Sequence, residues 1–149
     1  MEYFAYSQKE FIYKYVVMFT DIDLFRHMSY ANYLKLIFLA SDALLGPLLD
    51  KSFLNEARIK VVKTKMQFKH LTTLGERILI KVNASCIEPS SFDLLHTFVA
   101  EESGNLIGLG RQHFCLESIE EHEPLSLNNN FIETLNRILV DEGHLIYKY

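Results

Sequence analysis

Phe11 to Thr20 alternates, with Phe11, Tyr13, Tyr15, Val17 and Phe19 on one side and Ile12, Lys14, Val16 and Met18 on the other. Period two with aromatic and β-branched residues predicts a strand. The period is lost over Asp21–Tyr30, where Asp, His and Ser suit a turn leading into a helix. From Ala31 to Leu45 the chain is apolar almost all round, with Lys35 and Asp42 as the charged interruptions, until Gly46-Pro47 stops it. A helix with so little polar surface has to be enclosed, and the remainder of the chain reads as the sheet that encloses it. Ile59–His70 alternates Val62, Thr64, Met66 and Phe68 with Lys63, Lys65, Gln67 and Lys69. Arg77–Glu88 turns Ile78, Ile80, Val82, Ala84 and Cys86 inward. Strands over Phe92–Ala100 and Leu106–Glu117 follow, separated by turns at Leu74–Glu76, Glu88–Ser91 and Glu102–Asn105. Residues 1–8 read as a loose lead-in, 118–130 as an exposed linker, and Phe131–Val140 as a short amphipathic helix.

The predicted order is strand, long buried helix, four strands in meander spacing, then a terminal helix. That is an α+β domain in which a curved antiparallel sheet wraps one long central helix. A single domain over 1–149, with its core at about 11–118 and a linker and short helix over 119–149, agrees with a length of 149 residues and 49% hydrophobic content. A lone sheet leaves one face and an edge open, so a homodimer or homotetramer is expected.

Composition narrows the functional classes. The net charge of −4 gives no basic field for nucleic acid, and no base-reading motif is present. Cys86 and Cys115 lack metal-site spacing, and two cysteines make no disulfide framework, so a reducing, cytoplasmic setting is expected. The N-terminus lacks a basic segment followed by an apolar one, as a secretory leader requires. Tyr33–Leu49, the longest apolar stretch, is too short and interrupted for membrane insertion.

The chemistry is concentrated in Asp21-Ile22-Asp23, His27 and Tyr30-Ala31-Asn32-Tyr33-Leu34. This run resembles the signature of the 4-hydroxybenzoyl-CoA thioesterase-like family of hot-dog fold. There, a strand ends in D-x-D, a short loop often carries G-H, and a helix begins near Y-x-N-Y. Phe68–Glu76 is similar to the family's F-x-x-P-L-x-x-G-D turn, with His70 and Glu76 replacing Pro and Asp, and Gly104, Gly108 and Gly110 resemble its later hairpin and strand. The resemblance covers roughly residues 11–118. It implies a hot-dog acyl thioesterase acting on acyl-CoA or acyl-carrier-protein thioesters, with Asp23 as the catalytic carboxylate and the backbone N–H of Tyr30 as oxyanion donor. No metal or redox cofactor is implied.

The residue types suit that chemistry independently. Thioester hydrolysis needs a carboxylate to activate water or attack the carbonyl, and a helix N-terminus supplies free N–H groups and a favourable dipole. Asp21 is expected to fix the loop. His27 is either a structural imidazole or a positioner of substrate or water. Asn32 and Tyr33 are expected to anchor the helix start, and Asn32 can also orient water. Lys63 and Lys65 belong to a basic stripe with Arg58, Lys60 and Lys69. That stripe is either a solvated strand face or a dock for CoA phosphates or an acidic carrier protein. Ser41 and Cys115 have no base in a recognisable motif, so neither is expected to be a nucleophile.

Three departures from the family pattern stand out. Arg26 occupies the usual glycine position, Phe38 replaces a helical Glu, and Glu88-Pro89-Ser90 replaces residues that hold CoA phosphates in the aryl-CoA enzyme. Two rival readings follow from the same residues. A hot-dog dehydratase or hydratase would pair His27 with Asp42, and a non-catalytic protein would bind acyl groups without turnover.

Overall fold

The computed structural model describes residues 3–7 and 9–149. Its strands are β1 (Tyr3–Ser7), β2 (Glu10–Val16), β3 (Ala57–Phe68), β4 (Arg77–Ser85), β5 (Ser91–Ala100) and β6 (Leu106–Ser118), and its helices are α1 (Tyr30–Leu45), α2 (Lys51–Glu56) and α3 (Asn129–Arg137). The strands form one antiparallel sheet in the order β1-β2-β4-β5-β6-β3. The expected loose lead-in is corrected over Tyr3–Ser7, which pairs with β2 as an edge strand; residues 1, 2 and 8 lie outside the described residues. No helix among the described residues is long and apolar enough to cross a membrane.

Alternation sets the inner face as expected for β2 and β4: Tyr13, Tyr15, Ile78, Ile80 and Val82 are buried against Tyr33, Leu36, Ile37 and Leu44 of α1. Each fully buried aliphatic side chain contributes roughly 1.5–3 kcal/mol. That exceeds the few tenths by which helix propensities differ, so packing against the sheet decides the helix. Close approach is possible because Gly110 of β6 has no side chain. A Cβ there would stand 2.7 Å from Ile37 Cδ1.

Some expected inward positions differ. Phe19 is 80% exposed because β2 ends at Val16 and the chain turns through a 3-10 segment over Phe19–Asp21. Cys86 lies beyond the end of β4, exposed, at φ 49°. Val62 and Phe68 are exposed although Thr64 and Met66 are half-buried. Val62 is the extra residue of a bulge between Val61 and Lys63. The bulge shifts the phase of the strand, so that Arg58 and Lys60 before it, and Lys63 and Lys65 after it, lie opposite outward residues of β6. Nor is α1 enclosed all round: Tyr30, Leu34 and Phe38, at successive turns, are 60%, 40% and 42% exposed.

The short helix α2, capped by Asp50, has no counterpart in the predicted pattern. Helix α3 is capped by Asn128 and drives Phe131 and Leu135 into the core. Beyond it the chain adds to β4, with Val140 N–H donating to Ala84 O at 3.0 Å, and then crosses the outer face of the sheet. There Glu142 accepts from Arg111 and Ser85, Gln67 donates to Lys148 O, and Tyr149 meets Thr97.

The core also holds a polar row. Ser41 contacts His96 Nε2 at 2.9 Å and donates to Gln112 Oε1 at 2.6 Å, and Gln112 donates to Thr64 at 3.3 Å. Burial lowers His96 from 6.5 to about 3, so the folded ring stays neutral where the unfolded ring takes a proton. Between pH 6.5 and 3 the unfolded state therefore binds more protons, and stability falls as the pH falls. Urea denaturation at pH 6 and pH 4.5, values within that interval, should show this loss. In His96→Leu the slope should be shallower by up to about 1.4 kcal/mol per pH unit, one proton's worth.

Candidate active site

Residues 21–29 form a small hairpin that links β2 to α1. Asp21 O accepts from Ser29 N–H at 3.2 Å, Ile22 bridges to Met28, and Asp23 N–H donates to His27 O at 3.0 Å. Its tip is a turn closed by Arg26 N–H to Asp23 O at 3.0 Å, with Arg26 at φ 65°. This is the left-handed conformation that glycine adopts without strain and that costs other residues roughly 1–2 kcal/mol. Arg26 is thus an unusual residue in a conformation that suits the family's glycine.

The two aspartates have different environments. Asp21 is buried, and its Oδ2 accepts from the Tyr15 hydroxyl and from Met18 N–H, each at 2.8 Å. Its carbonyl also accepts from Asn32 Nδ2 at 2.9 Å. Asp23 is exposed. Its Oδ1 accepts from Phe25 N–H at 2.8 Å, while Oδ2 meets no partner among the described residues. Asp21 has the loop-fixing geometry expected of it, and Asp23 has an uncommitted oxygen.

The start of α1 is equally open. Ser29 occupies the N-cap position, but its side chain makes no capping hydrogen bond. Its carbonyl takes the N–H groups of Asn32 and Tyr33 at 3.0 and 3.4 Å. The N–H groups of Tyr30 and Ala31 meet no acceptor among the described residues. Tyr30's ring lies against Phe68, with centroids 4.4 Å apart, so its side chain is engaged away from its amide.

His27 is half-buried and faces Asp23 across the hairpin through the backbone bond; its ring has no hydrogen-bond partner among the described residues. Tyr33 is fully buried. Its hydroxyl pairs with Thr72 Oγ1 at 2.8 Å and accepts from Thr72 N–H at 3.0 Å. Burial pushes its hydroxyl above the ordinary 10, so it remains a neutral hydrogen-bonding group. Met28 N–H donates to Thr72 O at 2.9 Å. The buried Thr72 thus joins the hairpin to the β3–β4 turn, a role that no pattern in the sequence marks.

The expected residues therefore divide. Asp23, His27, Tyr30, Asn32 and Tyr33 belong to the hairpin and the first turn of α1. Lys63 and Lys65 lie on the outer sheet face, in a pocket of about 270 Å³ with Asp93, Arg111 and His113. An open cleft of about 810 Å³ between the 70–77 turn and the 102–105 hairpin includes none of them. Asp42 lies twelve residues beyond Tyr30 along α1, a rise of about 18 Å, which separates it from His27. Among the described residues no group of three or more His, Cys, Asp or Glu could hold a metal ion.

The fold is shared with solved thioesterases. The dynemicin thioesterase has a TM-score of 0.81 at 16% identity, over 89% of this chain and 99% of that one. A 1,4-dihydroxy-2-naphthoyl-CoA thioesterase from Synechocystis has a TM-score of 0.78 at 16% identity, over 85% and 95%. A Staphylococcus aureus protein in complex with CoA has a TM-score of 0.80 at 14% identity, over 90% and 86%. At these identities the likeness establishes the hot-dog fold. No curated protein sequence matches the chain. The family model described as the thioesterase-like superfamily matches residues 17–134, which include the hairpin, α1 and the sheet from β3 to β6. The chain therefore belongs to the thioesterase-like superfamily, whose activity is the hydrolysis of thioesters.

Proposed function

We propose that the protein hydrolyses acyl-CoA or acyl-carrier-protein thioesters in the cytoplasm, with Asp23 as general base or nucleophile and the N–H of Tyr30 as oxyanion donor. The observation that carries this reading is that the short segment 21–31 leaves two kinds of group unpaired among the described residues: one oxygen of the Asp23 carboxylate and the first amides of α1. A thioester carbonyl placed between them meets a base or nucleophile at carbon and a donor at oxygen. The helix dipole favours the negative charge that develops there. His27 and Asn32 orient substrate or water, and Tyr33 holds the helix against Thr72. Lys63 and Lys65 on edge strand β3 offer positive charge to CoA phosphates or an acidic carrier protein. CoA is the ligand named for one of the similar structures, and the Synechocystis enzyme is named for an aryl-CoA.

The open site belongs to an open surface. Tyr30, Leu34 and Phe38 on α1 continue into Phe68, which packs on Tyr30 at the end of β3, an edge strand of 12 residues. Such an edge and apolar stripe are covered most simply by a second copy related by a two-fold axis. The reading is therefore a homodimer closed through β3 and α1, with two such dimers making a homotetramer.

Release of thiol from a panel of acyl-CoAs and acyl-carrier proteins tests the chemistry. Asp23→Asn should lower kcat by about 10²- to 10⁴-fold with the melting temperature kept. Asp21→Asn should chiefly lower the melting temperature. Turnover unchanged by Asp23→Asn across the panel would sink the assignment. Sedimentation tests the assembly: the parent should run as a dimer or tetramer, and Leu34→Glu combined with Phe38→Glu as a folded monomer. A parent that is monomeric at micromolar concentration would contradict it.

A further inference from the structure

The outer face of the sheet carries a second group of reactive side chains. On β6, Arg111, His113 and Cys115 recur at period two and point away from α1, while Gln112 and Phe114 point toward it. Asp93 of β5 lies directly opposite His113. Its Oδ1 is 2.5 Å from His113 Nδ1, and His113 Nε2 is 3.5 Å from Cys115 Sγ. A carboxylate only accepts, so Nδ1 carries a proton toward Asp93, and in the neutral ring Nε2 presents its lone pair to the thiol. This is the thiol–imidazole–carboxylate order of an activated nucleophile.

The supporting contacts fix the carboxylate end. Asp93 is buried and also accepts from Arg111 Nε at 2.7 Å, and Arg111 in turn holds Glu142 of the C-terminal segment at 2.6 Å. Cys115 is half-buried, and next to it His113, with Asp93 and Arg111, lines the 270 Å³ pocket beside Lys63 and Lys65, which form no ion pair among the described residues. The other nucleophile–imidazole pair, Ser41 and His96, is sealed in the core. Cys86 contacts Arg111 and Glu142 but no imidazole, and so serves as an internal control.

We propose that Cys115, with His113 as its base and Asp93 holding the ring, is a second acyl-accepting centre that takes an acyl group from acyl-CoA by thioester exchange. His113 takes the thiol proton and the Cys115 sulfur attacks the thioester carbonyl. The bond to the CoA sulfur breaks, and CoA leaves as a thiol with the proton from the imidazolium. No oxidant or further reactant is consumed. Lys63 and Lys65 attract the CoA phosphates to this face. The choice of acyl-CoA rests on the hydrolase reading above, but the step does not use Asp23.

The full-length Asp23→Asn chain, incubated with octanoyl-CoA or benzoyl-CoA and followed by intact mass and peptide mapping, tests the proposal. One acyl adduct should form on Cys115, be removed by hydroxylamine, and be absent in Cys115→Ser. His113→Gln should slow its formation by about 10²-fold. Charge reversal at Lys63 and Lys65 should slow labelling by acyl-CoA at low salt but not by the uncharged N-acetylcysteamine thioester. Labelling of Cys115 no faster than of Cys86, or unchanged by His113→Gln in a chain of parental melting temperature, would overturn it. The two sites fail separately. An adduct on Cys115 with hydrolysis insensitive to Asp23 removes only the hydrolytic assignment, and hydrolysis lost in Asp23→Asn without an adduct removes only this one.

Discussion

Asp21 is the constraint on which the candidate site depends. Its carboxylate holds the end of β2 through Tyr15 and Met18, and its carbonyl holds the beginning of α1 through Ser29 and Asn32. One buried residue thus sets the distance and angle between a strand end and a helix start. Buried hydrogen bonds to a carboxylate are each worth roughly 1.5–3 kcal/mol, enough to hold a nine-residue hairpin whose tip includes an arginine at positive φ. The cost of that tip is carried by the frame, and Asp23 is left with an oxygen that meets no partner among the described residues.

The same division between frame and free group recurs at larger scale. The sheet covers one side of α1 and leaves Tyr30, Leu34 and Phe38 open beside the long edge of β3. On the opposite face the C-terminal segment, anchored by Glu142 on Arg111, covers part of the sheet. Arg111 holds the Glu142 carboxyl below its ordinary 4.5, so this anchor is intact at neutral pH and is lost only as acid protonates it. The molecule is thus partly covered by its own chain on the outer face, beside the pocket at His113, and open on the helix side, where the hairpin lies.

Much of this was legible in the residues. Period-two alternation locates β2, β3 and β4, the turns at Glu88–Ser91 and Glu102–Asn105 delimit β5 and β6, the apolar run ending at Gly46-Pro47 locates α1, and D-x-D before an Asn-Tyr helix start locates the turn between β2 and α1. What alternation could not show was phase and pairing. The bulge at Val62 is invisible as a pattern because basic residues lie on both sides of it. β1 leaves no clear signal because a short edge strand needs only a partner, and α2 none because six residues give no period. Cys115 has no base in a recognisable sequence motif because the base, His113, is two residues away on the same strand face, and its carboxylate comes from the neighbouring strand. Thr72 carries no signal of its own, since its importance comes from the Tyr33 hydroxyl above it. Arg26 was visible as a departure; its positive φ explains why glycine suits the position.

The central claim is that a backbone amide, the N–H of Tyr30, stabilises the oxyanion opposite Asp23. The most direct test replaces that amide by an ester through incorporation of the α-hydroxy acid of tyrosine at position 30, which removes one hydrogen and no side chain. With that hydrogen gone, kcat for thioester hydrolysis should fall by about 10²- to 10³-fold with fold and substrate binding retained. An ester-substituted chain that turns over as fast as the parent would contradict it.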